Sequence, residues 1–135
     1  ALPISRLDAG ATLDLAFSCN WDQTVSIFLG AADGTFTPHP TRTYLGGSFN
    51  AHNIIAAADL DGDGNSDLAL TGDGTAMLTV LLGKGNGEFG PPMRFATGTR
   101  LRDFFLVDLD KNGRPDVVAV GIEIPKLIIL MNEQP

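Results

Sequence analysis

Residues 59–67, Asp-Leu-Asp-Gly-Asp-Gly-Asn-Ser-Asp, crowd the carboxylates of Asp59, Asp61, Asp63 and Asp67 onto one glycine-rich loop. Carboxylates this close repel one another unless a cation neutralises them. Hard oxygen donors select calcium over metals that favour softer ligands. In this reading Asp59, Asp61 and Asp63 supply positions 1, 3 and 5 of the loop, Gly64 permits the sharp turn, Asn65 offers its backbone carbonyl, and Asp67 closes the site. The spacing recurs at 108–116, where Asp108, Asp110, Asn112, Gly113, Arg114 and Asp116 fall in register with Asp59, Asp61, Asp63, Gly64, Asn65 and Asp67. Asn112 offers a neutral oxygen and Arg114 a backbone carbonyl. With one carboxylate fewer, this is expected to be the weaker of two calcium sites.

The flanking segments say what holds these loops. A helical EF-hand needs a bidentate Glu at position 12, but Leu70 and Ala119 stand there. Ile54-Ile55-Ala56-Ala57-Ala58 before the first loop and Leu68-Ala69-Leu70-Thr71 after it are too short for stable helices and read as strands. A further apolar run, Met77 to Leu82, meets the turn Gly83-Lys84-Gly85-Asn86-Gly87, rich in residues that tolerate positive φ. One unit is therefore strand, calcium loop, strand, turn, strand, turn, strand.

The unit repeats. Leu29-Gly30-Ala31-Ala32-Asp33-Gly34-Thr35-Phe36 matches Leu82-Gly83-Lys84-Gly85-Asn86-Gly87-Glu88-Phe89, and the same offset pairs Asp14-Leu15-Ala16 with Asp67-Leu68-Ala69. Three copies follow, about 1–48, 49–98 and 99–135, within a single domain over 1–135. Copy one retains Asp8 and Asp14, but Arg6 stands opposite Asp59 and Gly10 opposite Asp63. No metal is expected there, and Arg6 is expected to neutralise Asp8 or Asp14 as an ion pair. Copy three stops at Leu130-Met131-Asn132 without a matching Gly-Asn-Gly-x-Phe turn or fourth strand.

The loop Asp59 to Leu68, followed by Val80-Leu81-Leu82-Gly83 and Gly85-Asn86-Gly87-Glu88-Phe89, resembles the FG-GAP or VCBS repeat of integrin alpha-subunit propellers and many secreted proteins. The likeness spans nearly the whole chain. It implies an all-β fold of propeller blades, each a four-stranded antiparallel sheet with calcium between its first and second strands, generally in seven-bladed rings. It also implies a calcium-binding module, extracellular or at the cell surface, that recognises proteins or carbohydrates.

Composition limits the alternatives. The chain has 135 residues, 44% of them apolar and 19% charged, enough for a core and unlike a disordered segment. No apolar run approaches the roughly 18 to 20 residues of a membrane span, and no signal-peptide pattern begins at Ala1. The net charge of −7 argues against nucleic acid as a partner. The lone Cys19 reads as a small buried residue. No Gly-x-Ser-x-Gly, phosphate-binding loop, His-Glu-x-x-His or zinc-spaced Cys is present, His39 and His52 read as solvated turn residues, and no enzyme activity is expected. The alternative role is a structural or accessory segment of a larger secreted protein or enzyme. Trp21 falls at a hairpin tip, where an indole could stack on a sugar or anchor a protein contact. Phe17, Phe28, Phe36, Phe49, Phe89 and Phe95 read as blade filler. Propellers close with about 4 to 8 blades, so three copies are expected either to associate as a homo-oligomer or to join the remaining blades of a larger ring.

Overall fold

A computed structural model describes residues 4–19, 22–45, 50–73, 75–123 and 125–133, with the backbone alone described at 50–53 and 73. Trp21 and Phe49 lie outside the described residues, as does the side chain of His52. The fold is all-β, with twelve strands in three antiparallel sheets among the described residues.

The first sheet comprises β1 (Ile4–Ser5), β2 (Asp14–Cys19), β3 (Thr24–Gly30), β4 (Phe36–Pro38) and β5 (Thr43–Tyr44). Both β4 and β5 pair with β3, because Pro40 lies between them and cannot donate to a ladder. The second sheet runs β6 (Asn50–Ala58), β7 (Asp67–Asp73), β8 (Met77–Leu81) and β9 (Met93–Ala96) in that order. This is the strand, loop, strand, turn, strand, turn, strand unit expected from the sequence. The third sheet has β10 (Leu101–Val107), β11 (Asp116–Gly121) and β12 (Leu127–Leu130). In every sheet the acidic loop, or its relic, leads from the first strand into the second.

The second sheet is buried on both faces. Leu68, Leu70 and Leu81 join Ala16, Val25, Ile27 and Leu45 in one cluster against the first sheet. Ala69, Leu78 and Val80 turn the other way and pack with Leu101, Phe104, Val117, Ala119 and Ile128 of the third sheet. The period-2 alternation of a strand sends neighbouring residues to opposite faces, which is how β7 feeds both clusters. Each fully buried leucine adds about 2 kcal/mol from the apolar area it removes from water.

The aromatic residues divide differently from expectation. Phe89 is buried, and Phe17 stacks on Phe28 with ring centroids 5.4 Å apart. Phe36 and Phe95, expected as filler, are each 46% exposed because they lie in β4 and β9, at the sheet margins. The deeply buried aromatic is Phe104 of β10. Cys19, expected to be buried, is half-buried and free, and its thiol is a hydrogen-bond partner of Asp22.

Candidate metal loops

Each loop is organised around its last Asp. Asp67, the first residue of β7, is fully buried; its Oδ2 accepts the N–H of Leu60 at 2.7 Å and its Oδ1 the N–H of Gly83 at 2.7 Å. Asp116 does the same with Leu109 (2.9 Å) and Asn132 (2.8 Å). So does Asp14 with Leu7 (2.8 Å) and Gly30 (2.9 Å) in copy one, where Asp8 N–H adds a third bond at 3.2 Å. One carboxylate thus ties the start of a loop to the end of the third strand. For Gly83 this needs a very close approach: a Cβ there would lie 2.2 Å from the Ser66 carbonyl, and one on Gly30 would lie equally near that of Leu13. At these two positions only glycine fits that approach, whereas in copy three Asn132 delivers the same bond.

Above this brace the other acids converge. The carboxylates of Asp59, Asp61 and Asp67 can each bring one oxygen within 4.8 Å of the others, and Asp108, Asp110 and Asp116 do likewise. These are the two groups of three metal-ligating side chains among the described residues, and an all-oxygen set at this spacing fits a hard cation. Backbone amides hold the acids in place. Asp59 accepts Gly62 N–H at 2.7 Å and Gly64 N–H at 2.9 Å, while Asp108 accepts Asn112 N–H at 3.1 Å and Gly113 N–H at 2.9 Å. The turns need left-handed backbone, with φ of 81° at Gly62 and 89° at Gly64. In copy three Lys111 occupies the Gly62 position with φ of 64°, a conformation unfavourable for a residue with a Cβ.

Asp63, read as the third ligand, stands outside its group. Its Oδ1 accepts Asn65 N–H at 2.7 Å and its Oδ2 accepts Asn65 Nδ2 at 2.8 Å. Those two bonds hold its carboxyl below the usual range. In the same position Asn112 turns its Nδ2 to Asp110 Oδ2 (3.3 Å) and to the Asn132 carbonyl (3.0 Å), and its Oδ1 accepts Arg114 N–H at 2.8 Å. The Arg114 guanidinium extends toward the neighbouring loop, where a Cβ on Gly62 would lie 3.7 Å from its Nε. Asp67 is pushed above its ordinary value, chiefly by burial and further by the charge of Asp61, against the pull of the Gly83 and Leu60 amides. A cation would relieve both effects that push it up.

Copy one departs from expectation at Arg6, which forms no ion pair among the described residues; the pairs present are Arg42–Asp22, Lys84–Glu88 and Arg100–Glu123. Asp14 has both oxygens turned inward to amides, and Asp8 Oδ1 accepts Gly10 N–H at 2.7 Å. Arg6 instead lines an open groove of about 580 Å³ between copies one and two, with Ser5, Asp8, Leu13, Asn65 and Ser66. The hydroxyls of Ser5 and Ser66 are 2.8 Å apart across that junction. His39 sits in the break between β4 and β5, where its Nδ1 accepts Thr41 N–H at 3.2 Å.

Stacked antiparallel sheets, each entered through a braced acidic loop between its first two strands, define repeated propeller blades. The model of the FG-GAP-like repeat matches residues 11–70 and again residues 59–119, and the chain belongs to this family. No curated protein and no solved structure is a match to it. No helix among the described residues is long and apolar enough to cross a membrane.

Sequence reasoning missed Asn132, whose Nδ2 donates to the Leu60 carbonyl at 2.7 Å and lies 3.3 Å from that of Pro115. The available signal was its register, since Asn132 stands where copies one and two carry Gly30 and Gly83.

Proposed function

We propose that the chain is a calcium-binding propeller module, extracellular or at the cell surface, that binds a protein or carbohydrate and has no catalytic activity of its own. The observation that carries this reading is the pair of three-carboxylate groups, Asp59/Asp61/Asp67 and Asp108/Asp110/Asp116, in a family whose repeats commonly bind calcium. Asp63 and Asn65 in one loop, and Asn112 and the Arg114 carbonyl in the other, would complete the shells. The cation supplies charge neutralisation, which lets the loops hold one shape. The polar groove between copies one and two is the concave surface that favours a ligand with hydroxyl or amide groups, and Trp21 is a second candidate contact.

Native mass measurement with and without calcium tests the metal. Two ions are expected on the intact chain, one each after Asp61→Ala or Asp110→Ala, and two after Asp8→Ala. Three ions, or none, would overturn the assignment. Glycan-array and pull-down assays in calcium test the ligand: a glycan signal lost in Trp21→Ala or Arg6→Ala marks a lectin, and protein capture without a glycan signal marks an adhesion module.

A second observation concerns partners. The outer face of the third sheet presents Phe105, 65% exposed, and Leu127, 61% exposed, with Val120 and Ile129 beside them. This is an apolar sheet face of the kind that the second sheet buries twice over. We infer that a further blade covers it, from a second copy of this chain or from the rest of a longer ring. Sedimentation in calcium tests the first source, since a monodisperse monomer would exclude it.

A further inference from the structure

The two acidic loops are joined through one residue. The N–H of Asn132 donates to Asp116 Oδ1 at 2.8 Å, and its carbonyl accepts Asn112 Nδ2 at 3.0 Å, so its backbone is gripped by loop 108–116. Its side-chain Nδ2 crosses to loop 59–67 and donates to the Leu60 carbonyl at 2.7 Å. Leu60 in turn gives its N–H to Asp67 Oδ2 at 2.7 Å. An unbroken series of hydrogen bonds therefore runs from Asn112 and Asp116, through Asn132 and Leu60, to Asp67, linking residues of both three-carboxylate groups. The glycines that stand at this position in copies one and two have no side chain to extend. At the other junction the corresponding carbonyl, that of Leu7, is taken by the backbone N–H of Gly87 at 2.8 Å.

We propose that Asn132 couples the two loops, so that a calcium ion in one raises the affinity of the other. The inference rests on the calcium reading above. An ion that orders loop 108–116 fixes Asn112 and Asp116, which together fix Asn132. Asn132 then fixes the Leu60–Asp61 peptide through its carbonyl, and so restrains the adjoining Asp59–Leu60 peptide, whose N–H meets Asp67. The second ion finds its loop already ordered and loses less conformational entropy on binding. Thermodynamic linkage makes the effect reciprocal.

The test is calcium titration of the whole chain by calorimetry, with terbium luminescence as a second probe, on wild type, Asp61→Ala, Asp110→Ala and Asn132→Ala. Asp110→Ala is expected to weaken binding at loop 59–67 by about fivefold or more, and Asp61→Ala to weaken loop 108–116 by the same factor. Asn132→Ala is expected to bind two ions still, but independently, each with the affinity found in the single-site variants. A residue that only supported the fold would lower the melting temperature without changing this ratio. Wild-type affinity at loop 59–67 in Asp110→Ala would overturn the coupling while leaving the two-ion reading intact, and coupling that survives in Asn132→Ala would overturn its route. Absence of any bound ion in wild type would end both readings. Should Asn132→Ala fail to fold, the Asp61 and Asp110 variants, which keep Asn132, still decide whether the loops are coupled.

Discussion

Copy one and copy two have the same brace and different loops above it. Asp14 and Asp67 are both fully buried, and each joins the amide of a leucine at the loop start to that of a glycine at the end of the third strand. Over Asp67 stand Asp59 and Asp61; in the same register over Asp14 stand Arg6 and Asp8. The last Asp of the loop therefore has a structural role that does not depend on a cation. The remaining acids form a second layer, where the proposed cation would sit, and copy one has the brace without the full set of that layer.

The largest expected effect comes from removing the brace. Asp14→Ala and Asp67→Ala should each destabilise the chain by about 3 kcal/mol, because the buried Leu7 or Leu60 N–H and the part-buried Gly30 or Gly83 N–H lose their acceptor. Urea unfolding in calcium and in chelator checks this: the Asp14 loss should be equal in both, whereas the Asp67 loss should be larger in calcium, since an ion is lost as well. An Asp14 variant as stable as wild type would break the comparison.

Next come the glycines that meet those carboxylates. Gly30→Ala and Gly83→Ala place a Cβ against a backbone carbonyl, which has no rotamer to yield, and each should cost about 2 kcal/mol. The same measurement applies, and near-equal costs in the two copies are expected.

Chelation acts only above the brace. With calcium near 1 mM and a dissociation constant around 0.1 mM, typical of extracellular modules, each occupied loop adds about 1.4 kcal/mol. The melting temperature should fall on chelation in wild type and in Asp8→Ala, and fall by less in Asp61→Ala.

The smallest effect sharpens the comparison at the turns. Asp33 accepts the Thr35 hydroxyl at 2.7 Å and its N–H at 3.0 Å; in copy two Asn86 accepts Glu88 N–H at 3.1 Å in the same register. The Thr35 hydroxyl and amide hold the Asp33 carboxyl below its ordinary 3.8. Because the folded value is the lower one, this stabilisation is present above the unfolded value and disappears as pH falls through the folded one. A carboxyl titration followed by NMR should place Asp33 below 3.8 in wild type and higher in Thr35→Val, while Asp33→Asn should keep the turn and lose its pH dependence.

Much of this architecture was legible in the sequence, because glycine and aspartate at fixed spacing leave few alternatives. The register of Leu29–Phe36 on Leu82–Phe89, the loops at 59–67 and 108–116 and the strand order of the second sheet all follow from it. The division of labour within the loops did not. Asp61 and Asp67 are the same residue type in one loop, and burial marks Asp67 as the brace between two distant amides. Asn132 was hidden for a related reason, since its partner Leu60 lies in the loop of another copy, beyond the reach of any local pattern. Phe36 and Phe95 misled because hydrophobicity does not say whether a strand lies at a margin.

The second sheet shares a core with each neighbour, whereas the first and third each share only one among the described residues. A linear array of this kind opens from its ends, since an end unit releases one interface and the central unit must release two. Amide protons of β7 should therefore exchange with solvent only when the whole chain opens, while those of β4, β5 and β12 exchange through smaller excursions.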